Sequence, residues 1–218
     1  MYFESRVAAG KQLAAQLAKK YRYENCAVVA LSDGGVIVGA QIAMELHCVL
    51  TMLLTETITL PRENVALAGI SQDGSFSYNN YYSTGQIEEF ESEYYHYIEQ
   101  EKRQKMEEMH RLLGAGGLIR RSLLRGHNVI LVSDGLSSGF SLDLAANFLK
   151  PIRVERLVVA TPLASVPAVD RMHVMADEIC CLSVIEDYIS TDHYYEQNDI
   201  PPHEKIIKTI EQIVLHWK

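Results

Sequence analysis

Strand-like and helix-like segments alternate along the second half of this 218-residue chain. The strand-like segments are short, almost continuously apolar runs, and the segments between them have the apolar spacing of helices. They are the strands at 128–135, 156–162 and 178–184 and the helices at 139–150 and 165–175. Apolar strands connected by helices are typical of a parallel sheet covered on both faces. The sequence therefore predicts an α/β fold, a doubly wound, mainly parallel sheet with helices on both faces.

The first half of the chain continues this pattern and adds a hairpin and a long polar helix. Helices are predicted over 5–21 and 36–47, strands over 26–35 (ending in a glycine pair) and 48–55, and a loop over 56–64. Asp73-Gly74 separates two strand-like runs, which predicts a β-hairpin over 66–82. A polar helix is predicted over 87–113, ended by the glycines of 114–117, and a last helix over 203–217. With no linker or repeat, a single domain over 1–218 is predicted.

Composition excludes several classes of function. The 20 basic and 28 acidic residues give a formal charge of −8, and no long basic tract is present, which argues against nucleic acid as the partner. No apolar run reaches the length of a membrane span, and the N-terminus lacks the apolar run of a signal peptide. The four cysteines form no CxxC pair and no zinc-spaced cluster with histidine, so we predict a reduced, cytoplasmic protein with no metal site of its own.

The segment 129–150 carries the clearest chemical pattern. A buried strand ends at an acidic residue, and a short loop of glycines and hydroxyl residues leads from it into a helix. These residues are Asp134, Gly135, Ser137, Ser138, Gly139 and Ser141. Glycines let backbone amides converge, and the helix N-terminus adds positive potential, so such a loop is suited to a phosphate group. The alternative is a plain strand-to-helix turn in which the serines cap the helix.

The run VILVSDGLSSGFSL (129–142) resembles the phosphoribosyl diphosphate (PRPP) motif of type I phosphoribosyltransferases. Phe3, Arg6 and Ala9-Gly10 are similar to the opening of a bacterial branch of predicted phosphoribosyltransferases. LSDGGVIVGAQIA (31–43) stands in the place of that branch's Pro-Arg-Gly-Gly pyrophosphate loop, and YISTDHYYEQNDI (188–200) is similar to its aromatic C-terminal segment.

This resemblance implies a reaction in which a nitrogenous base displaces pyrophosphate from PRPP, with Mg²⁺ present when PRPP is bound. Asp134 would hold the ribose hydroxyls as the catalytic residue. Residues 135–141 would bind the 5′-phosphate through Gly135, Ser137, Ser138, Gly139 and Ser141. The pyrophosphate loop would consist of Ser32, Asp33, Gly34 and Gly35, and residues 56–84 would lie over the site as a flap.

The chain departs from the family pattern at positions that matter for chemistry. Ser133 replaces the first acidic residue of the motif, Phe140 replaces a small residue, and Asp33 replaces the arginine of the pyrophosphate loop. The segment 54–58, which contains Glu56, replaces an Arg-Lys segment, and Arg62 is the one candidate for a replacement cation. The leaving group would therefore meet carboxylates where the family has cations.

Two functional hypotheses follow from these departures. The first is a phosphoribosyltransferase-like protein that binds a phosphorylated ribose compound with weak or no transferase activity. The alternative is an active PRPP-dependent phosphoribosyltransferase that acts on an unidentified base with Mg²⁺. A response-regulator-like receiver, a third hypothesis, does not explain the glycine-rich loop.

Two further features are open to a functional and a structural interpretation. The tyrosines cluster, and Tyr194 or Tyr195 would provide a stacking surface for a nucleobase, although packing at the rim of the core is the favoured interpretation. The polar helix over 87–113 is either a solvated face or the arm of a homodimer. Adjacent Cys180 and Cys181 are predicted to face opposite sides of the sheet, in a structural role.

Overall fold

The computed structural model describes residues 2–113, 119 and 121–215. Its main sheet has five strands, all parallel, in the order β2-β1-β6-β7-β8. These strands are β1 (Cys26–Ala30), β2 (Val49–Met52), β6 (Asn128–Val132), β7 (Arg156–Ser165) and β8 (Glu178–Ile185). The predicted α/β fold with a mainly parallel sheet is confirmed.

Helices cover both faces of this sheet, as predicted. Helices α1 (Arg6–Tyr21), α2 (Asp33–Leu46) and α6 (His203–Leu215) pack on one face, and α4 (Phe140–Leu149) and α5 (Val166–Met175) on the other. Successive residues of a strand point to opposite faces. Val28 accordingly packs among the first set of helices and Val29 among the second. Cys180 and Cys181 divide in the same way, which confirms their predicted placement.

A second, smaller sheet lies beside the main one and is called the flap sheet here. It is antiparallel, in the order β3-β4-β5, and consists of β3 (Thr55–Ile58), β4 (Ala68–Ser71) and β5 (Phe76–Tyr78). The predicted hairpin is present, and Gly74 has φ +84° in its turn. The predicted loop over 56–64 was wrong in part, because β3 occupies its start and pairs with β4.

Two helices begin earlier than the sequence predicted. Helix α2 begins at Asp33, so Gly34 and Gly35 belong to its first turn. It begins there because the Ser32 side chain caps the helix and accepts a hydrogen bond from the Gly35 N–H at 2.8 Å. Helix α3 runs Thr84–Leu113, with a non-helical residue at Tyr94. The predicted glycine stop at 114–117 and the predicted helix end at 217 lie outside the described residues.

Helix α3 is mainly solvated. Within its described length, Ile98 and Met109 are its buried residues. No helix in the described part of the chain is both long enough and apolar enough to cross a membrane.

Candidate functional site

The two predicted halves of the site meet at one edge of the main sheet. Strands β1 and β6 are parallel neighbours, so the residues that follow them, Ser32 and Asp134, lie side by side. The Ser32 hydroxyl donates to Asp134 Oδ1 at 2.7 Å. A cavity of about 430 Å³ opens there, lined by residues of α1, the β1–α2 junction, β3 and the C-terminal segment. Ligands of open α/β sheets bind at this carboxyl edge.

Arg6 occupies the centre of this edge, a role that the sequence did not suggest. Its side chain is 3% exposed, and its Nε donates to Asp134 Oδ2 at 2.7 Å. Its other nitrogens donate to Asp192 Oδ1 at 2.5 Å and to Asn198 Oδ1 at 3.0 Å. The guanidinium also stacks 4.5 Å from the centre of the Tyr195 ring. Arg6 thus joins the start of the chain, the end of β6 and the C-terminal segment.

Burial alone would lower the pKa of Arg6, but its bonds to Asp134 and Asp192 outweigh that effect and hold the pKa above its usual value. The guanidinium therefore stays charged. Both oxygens of Asp134 are engaged, one by Arg6 and one by Ser32. Each oxygen of the carboxylate that the resemblance assigns to the ribose hydroxyls therefore already accepts one hydrogen bond within the protein.

Gly34 makes this arrangement possible. A Cβ built at Gly34 would lie 2.0 Å from Asp134 Oδ2 and 2.8 Å from Arg6 Nε. Any side chain at this position would therefore push the ion pair apart. The backbone N–H groups of Asp33 and Gly34 face no hydrogen-bond acceptor among residues 2–113, 119 and 121–215.

The carboxylates that replace the expected cations have basic partners of their own. His203 Nδ1 lies 2.8 Å from Asp33 Oδ1, and Lys105 Nζ lies 3.3 Å from Glu56 Oε2. Burial would lower the pKa of Lys105, but the charge and hydrogen bond of Glu56, together with the charges of Glu108 and Glu101, outweigh it and the pKa is raised. Arg62, the expected replacement cation, is exposed in a turn and does not line the cavity. At this cavity the two carboxylates are therefore accompanied by a histidine and a lysine that the sequence analysis did not place there.

The predicted phosphate loop lies outside this cavity, so the structure does not bring all the predicted residues together. Ser32, Asp33, Gly34 and Asp134 line the cavity, whereas Gly35, Gly135, Ser137, Ser138, Gly139 and Ser141 do not. Ser137 and Ser138 are exposed to solvent. The Gly135 N–H is used locally, since it donates to the Ser133 hydroxyl at 3.3 Å.

The loop from 137 to 141 offers unpaired amides. In the described part of the chain, the backbone N–H groups of Ser137, Ser138, Gly139 and Ser141 have no acceptor. Gly139 has φ +74°, a left-handed conformation that favours glycine, and it is followed at once by the first turn of α4. The first-turn amides of a helix that lack partners are available to an anion.

Phe140 joins this loop to the flap sheet. Its side chain is 5% exposed, and its Cε1 lies 3.1 Å from the place where a Cβ of Gly69 would be. Leu144 packs against the same glycine, and Asn147 Nδ2 donates to the Ser77 hydroxyl at 2.8 Å. The bulky residue therefore serves as an apolar contact that fixes the flap sheet on α4.

Comparison with known proteins decides the family. A family model described as the phosphoribosyl transferase domain matches residues 3–196. The chain belongs to this family. The two segments that carry the resemblance, 129–142 and 31–43, both lie within the matched residues.

Individual relatives agree with this assignment. Two proteins named "Putative phosphoribosyl transferase", from two strains of Mycobacterium tuberculosis, are each 26% identical over 183 residues. The match covers 83% of this chain and 40% of each relative, so the chain spans less than half of their length. Among solved structures, TT1426 from Thermus thermophilus is 28% identical with a TM-score of 0.72, and the match covers 100% of this chain and 99% of that one.

A more distant structure shares the fold alone. A hypothetical protein from Neisseria gonorrhoeae, solved with bound ppGpp, is 12% identical with a TM-score of 0.50 over 97% of this chain and 96% of its own.

The C-terminal segment of this phosphoribosyltransferase-family chain closes over the end of β6. The rings of Tyr194 and Tyr195 are 6% and 4% exposed and pack with Phe3, so they form core rather than a nucleobase platform. The Tyr195 hydroxyl donates to the Asp134 carbonyl at 2.6 Å. Burial, with the Asp134 charge nearby, raises the pKa of Tyr195. The favoured interpretation of these tyrosines agrees with the structure.

Proposed function

We propose that this phosphoribosyltransferase-family protein binds a phosphorylated ribose compound and has weak or no transferase activity. The observation that carries the proposal is the contrast between the loop at 137–141 and Asp134. The loop has four amides with no acceptor among the described residues, two exposed serines and a helix N-terminus directly after them. These groups are suited to a phosphate, which accepts hydrogen bonds from backbone amides.

Asp134 limits the chemistry that is possible once a phosphate is bound. Its side chain is 9% exposed and both of its oxygens accept from protein donors. Ribose hydroxyls would have to share this carboxylate with Arg6 and Ser32 or displace them, and displacing Arg6 breaks a buried ion pair at a cost of about 3–5 kcal/mol. Phosphoribosyl transfer that depends on hydrogen bonds from the ribose hydroxyls to Asp134 would therefore be slow.

The alternative, an active PRPP-dependent phosphoribosyltransferase, has one observation in its favour. Lys105 pairs with Glu56 and His203 contacts Asp33 at the cavity, where the amides of Asp33 and Gly34 have no acceptor in the described part of the chain. A diphosphate would find backbone donors there and the Lys105 cation nearby.

The residues present fit Mg²⁺ only together with a ligand. No group of three or more His, Cys, Asp or Glu in the described part of the chain could hold a metal ion. Asp33 and Glu56 line the cavity, and Mg²⁺ is commonly bound by one or two carboxylates plus substrate phosphates. Mg²⁺ would therefore enter with PRPP, screen its diphosphate and favour departure of pyrophosphate.

The remaining parts of the proposal concern context. We propose that residues 1–218 form a single domain. We also propose that the protein is a homodimer in which the solvated helix α3 contacts the second copy. We place the protein in the cytoplasm because its four cysteines are free thiols.

The test is calorimetric titration with ribose 5-phosphate and with PRPP, each with and without Mg²⁺, on two variants of one residue. Ser141→Pro removes an unpaired amide from the first turn of α4, where proline is tolerated, as Pro167 shows at the start of α5. Ser141→Ala is the matched control, because it keeps the amide and removes the hydroxyl.

We expect ribose 5-phosphate to bind the wild-type protein. Ser141→Pro should raise its Kd by about 10- to 150-fold, the effect of losing one hydrogen bond to a charged group. Ser141→Ala should lose much less affinity for ribose 5-phosphate, because it keeps the backbone amide. Equal binding by both variants and the wild type would refute the phosphate role of the loop. Mg²⁺-dependent binding of PRPP much tighter than that of ribose 5-phosphate, with release of pyrophosphate on adding nucleobases, would favour the active transferase.

A further inference from the structure

A second charged concavity lies away from the candidate site. It is a groove of about 600 Å³ between the short 3₁₀ helix Arg121–Leu123 and the connection from α4 to β7. We call it the arginine groove; its lining residues are Arg121, Ser122, Arg125, Pro151, Ile152 and Arg153. Among the described residues that line the groove, three of the six are arginines and none is acidic.

The positive charge of this groove is largely uncompensated. Arg125 and Arg153 are exposed, and neither has an ion-pair partner in the parts of the chain that the structure describes. Arg121 Nη2 donates to Asp73 Oδ2 at 2.8 Å, which ties the groove to the turn of the flap hairpin. The protein as a whole carries a formal charge of −8. A groove lined by three arginines is therefore opposite in sign to the net charge of the chain.

The backbone that carries the arginines is well anchored. Leu124, between Arg121 and Arg125, is fully buried, and Ile152 is 8% exposed. The Gly126 N–H donates to the Arg153 carbonyl at 2.8 Å, which holds the two walls of the groove together. The backbone positions from which the three arginine side chains extend are therefore held by buried contacts and a hydrogen bond, so a ligand need not order this part of the chain.

The groove lies at the opposite end of the sheet from Asp134. Its walls lead into the amino ends of β6 and β7, whereas the candidate site is at their carboxyl ends. The five residues of β6 separate the two by about 16 Å at about 3.3 Å per residue. A ribose phosphate held at the 137–141 loop cannot also fill the groove.

We propose that the arginine groove is a second binding site, for a nucleotide that carries a di- or triphosphate. Arginine binds phosphate oxygens through parallel N–H donors, and several arginines together match more than one phosphate. The volume of the groove falls in the range typical of small-molecule sites. Because inorganic polyphosphate has the same charged chemistry, the test separates it from a nucleotide.

The test is calorimetric titration with ATP, tripolyphosphate and adenosine on the full chain. The variant is Arg125→Ala/Arg153→Ala, which leaves the Arg121–Asp73 ion pair in place. Arg103→Ala, which removes an exposed arginine from α3, is the matched control for a change of charge. Ser141→Pro is included because it weakens phosphate binding at the loop and alters no lining residue of the groove.

We expect ATP to bind, and its Kd to rise at least tenfold in Arg125→Ala/Arg153→Ala while staying within twofold of wild type in Arg103→Ala and Ser141→Pro. The double variant and Arg103→Ala should both melt at the wild-type temperature, because the altered side chains are exposed. Adenosine should not bind. Tripolyphosphate binding as tightly as ATP would overturn the nucleotide assignment in favour of an inorganic polyanion.

Other outcomes would also overturn the proposal. Unchanged ATP affinity in the double variant would remove the groove as a site. Loss of ATP binding in Ser141→Pro alone would place the nucleotide at the phosphate loop, which would support the proposed function and refute this one. A single-stranded oligonucleotide that binds the groove more than tenfold tighter than ATP would assign it to nucleic acid.

Discussion

The buried ion pair between Arg6 and Asp134 allows the most quantitative prediction. The two side chains are 3% and 9% exposed, so removing one partner leaves a charge out of water. We expect Arg6→Met to lower the free energy of unfolding by about 3–5 kcal/mol, the usual cost of breaking a buried pair from one side. Asp134→Asn should cost less, because Arg6 keeps Asp192 and Asn198 as partners.

The double variant Arg6→Met/Asp134→Asn should be more stable than the sum of the two single effects predicts. The coupling energy is expected at about 2–3 kcal/mol, since the double variant no longer buries an unpaired carboxylate. Urea unfolding followed by circular dichroism measures all four proteins, provided that the m-value stays constant.

The half-exposed pair Lys105–Glu56 is the control for this cycle. Its coupling should be below about 1 kcal/mol, as for other solvent-exposed pairs. Additivity of Arg6→Met and Asp134→Asn to within about 0.5 kcal/mol would refute the view that the two charges depend on each other.

Two further predictions concern a glycine and two tyrosines. Gly34→Ala should destabilise the protein by about 2 kcal/mol or more in urea unfolding, because the added Cβ would lie 2.0 Å from a carboxylate oxygen; Gly85→Ala, where the Cβ meets nothing within 4 Å, should not. Burial raises the pKa of Tyr21 and of Tyr188 to about 12, so the folded state favours their neutral forms. The stability that these neutral tyrosines contribute is fully present below about pH 10, the pKa of tyrosine in an unfolded chain, and should be lost as the pH rises through 12. Absorbance at 295 nm and melting temperature report this loss; full titration of all tyrosines near pH 10 in the folded protein would contradict it.

The main sheet could be predicted from sequence because its evidence is local. Apolar runs such as 128–132 and 156–165 are buried on both faces, so their composition alone marks them as central strands of a parallel sheet. Strand β3 was missed for the opposite reason. Its residues Thr55–Ile58 are mostly half-exposed and polar, and their extended form depends on pairing with β4.

The candidate site was predictable only in part, because its central contacts join distant positions. Asp134 could be singled out from the strand and loop around it. Its partner Arg6 is 128 residues away, and His203 is 170 residues from Asp33. Lys105 lies on a helix whose polar composition indicated a solvated face or a dimer arm and gave no sign of a contact at the site. No local pattern encodes such pairs, which arise from the way the sheet brings chain segments together.

The parallel bridge between Phe3 and Tyr195, together with the bond from Arg6 to Asn198 across 192 residues, has a consequence for how the protein comes to fold. Contacts of such long sequence separation require closure of nearly the whole chain, and they form late and slowly compared with local ones. During synthesis, the core of β1 and α2 can collapse long before the segment that closes over Asp134 has left the ribosome. Until then Arg6 lacks two of its acceptors, Asp192 and Asn198, so the contacts around Asp134 are completed after the strands of the main sheet have been synthesised.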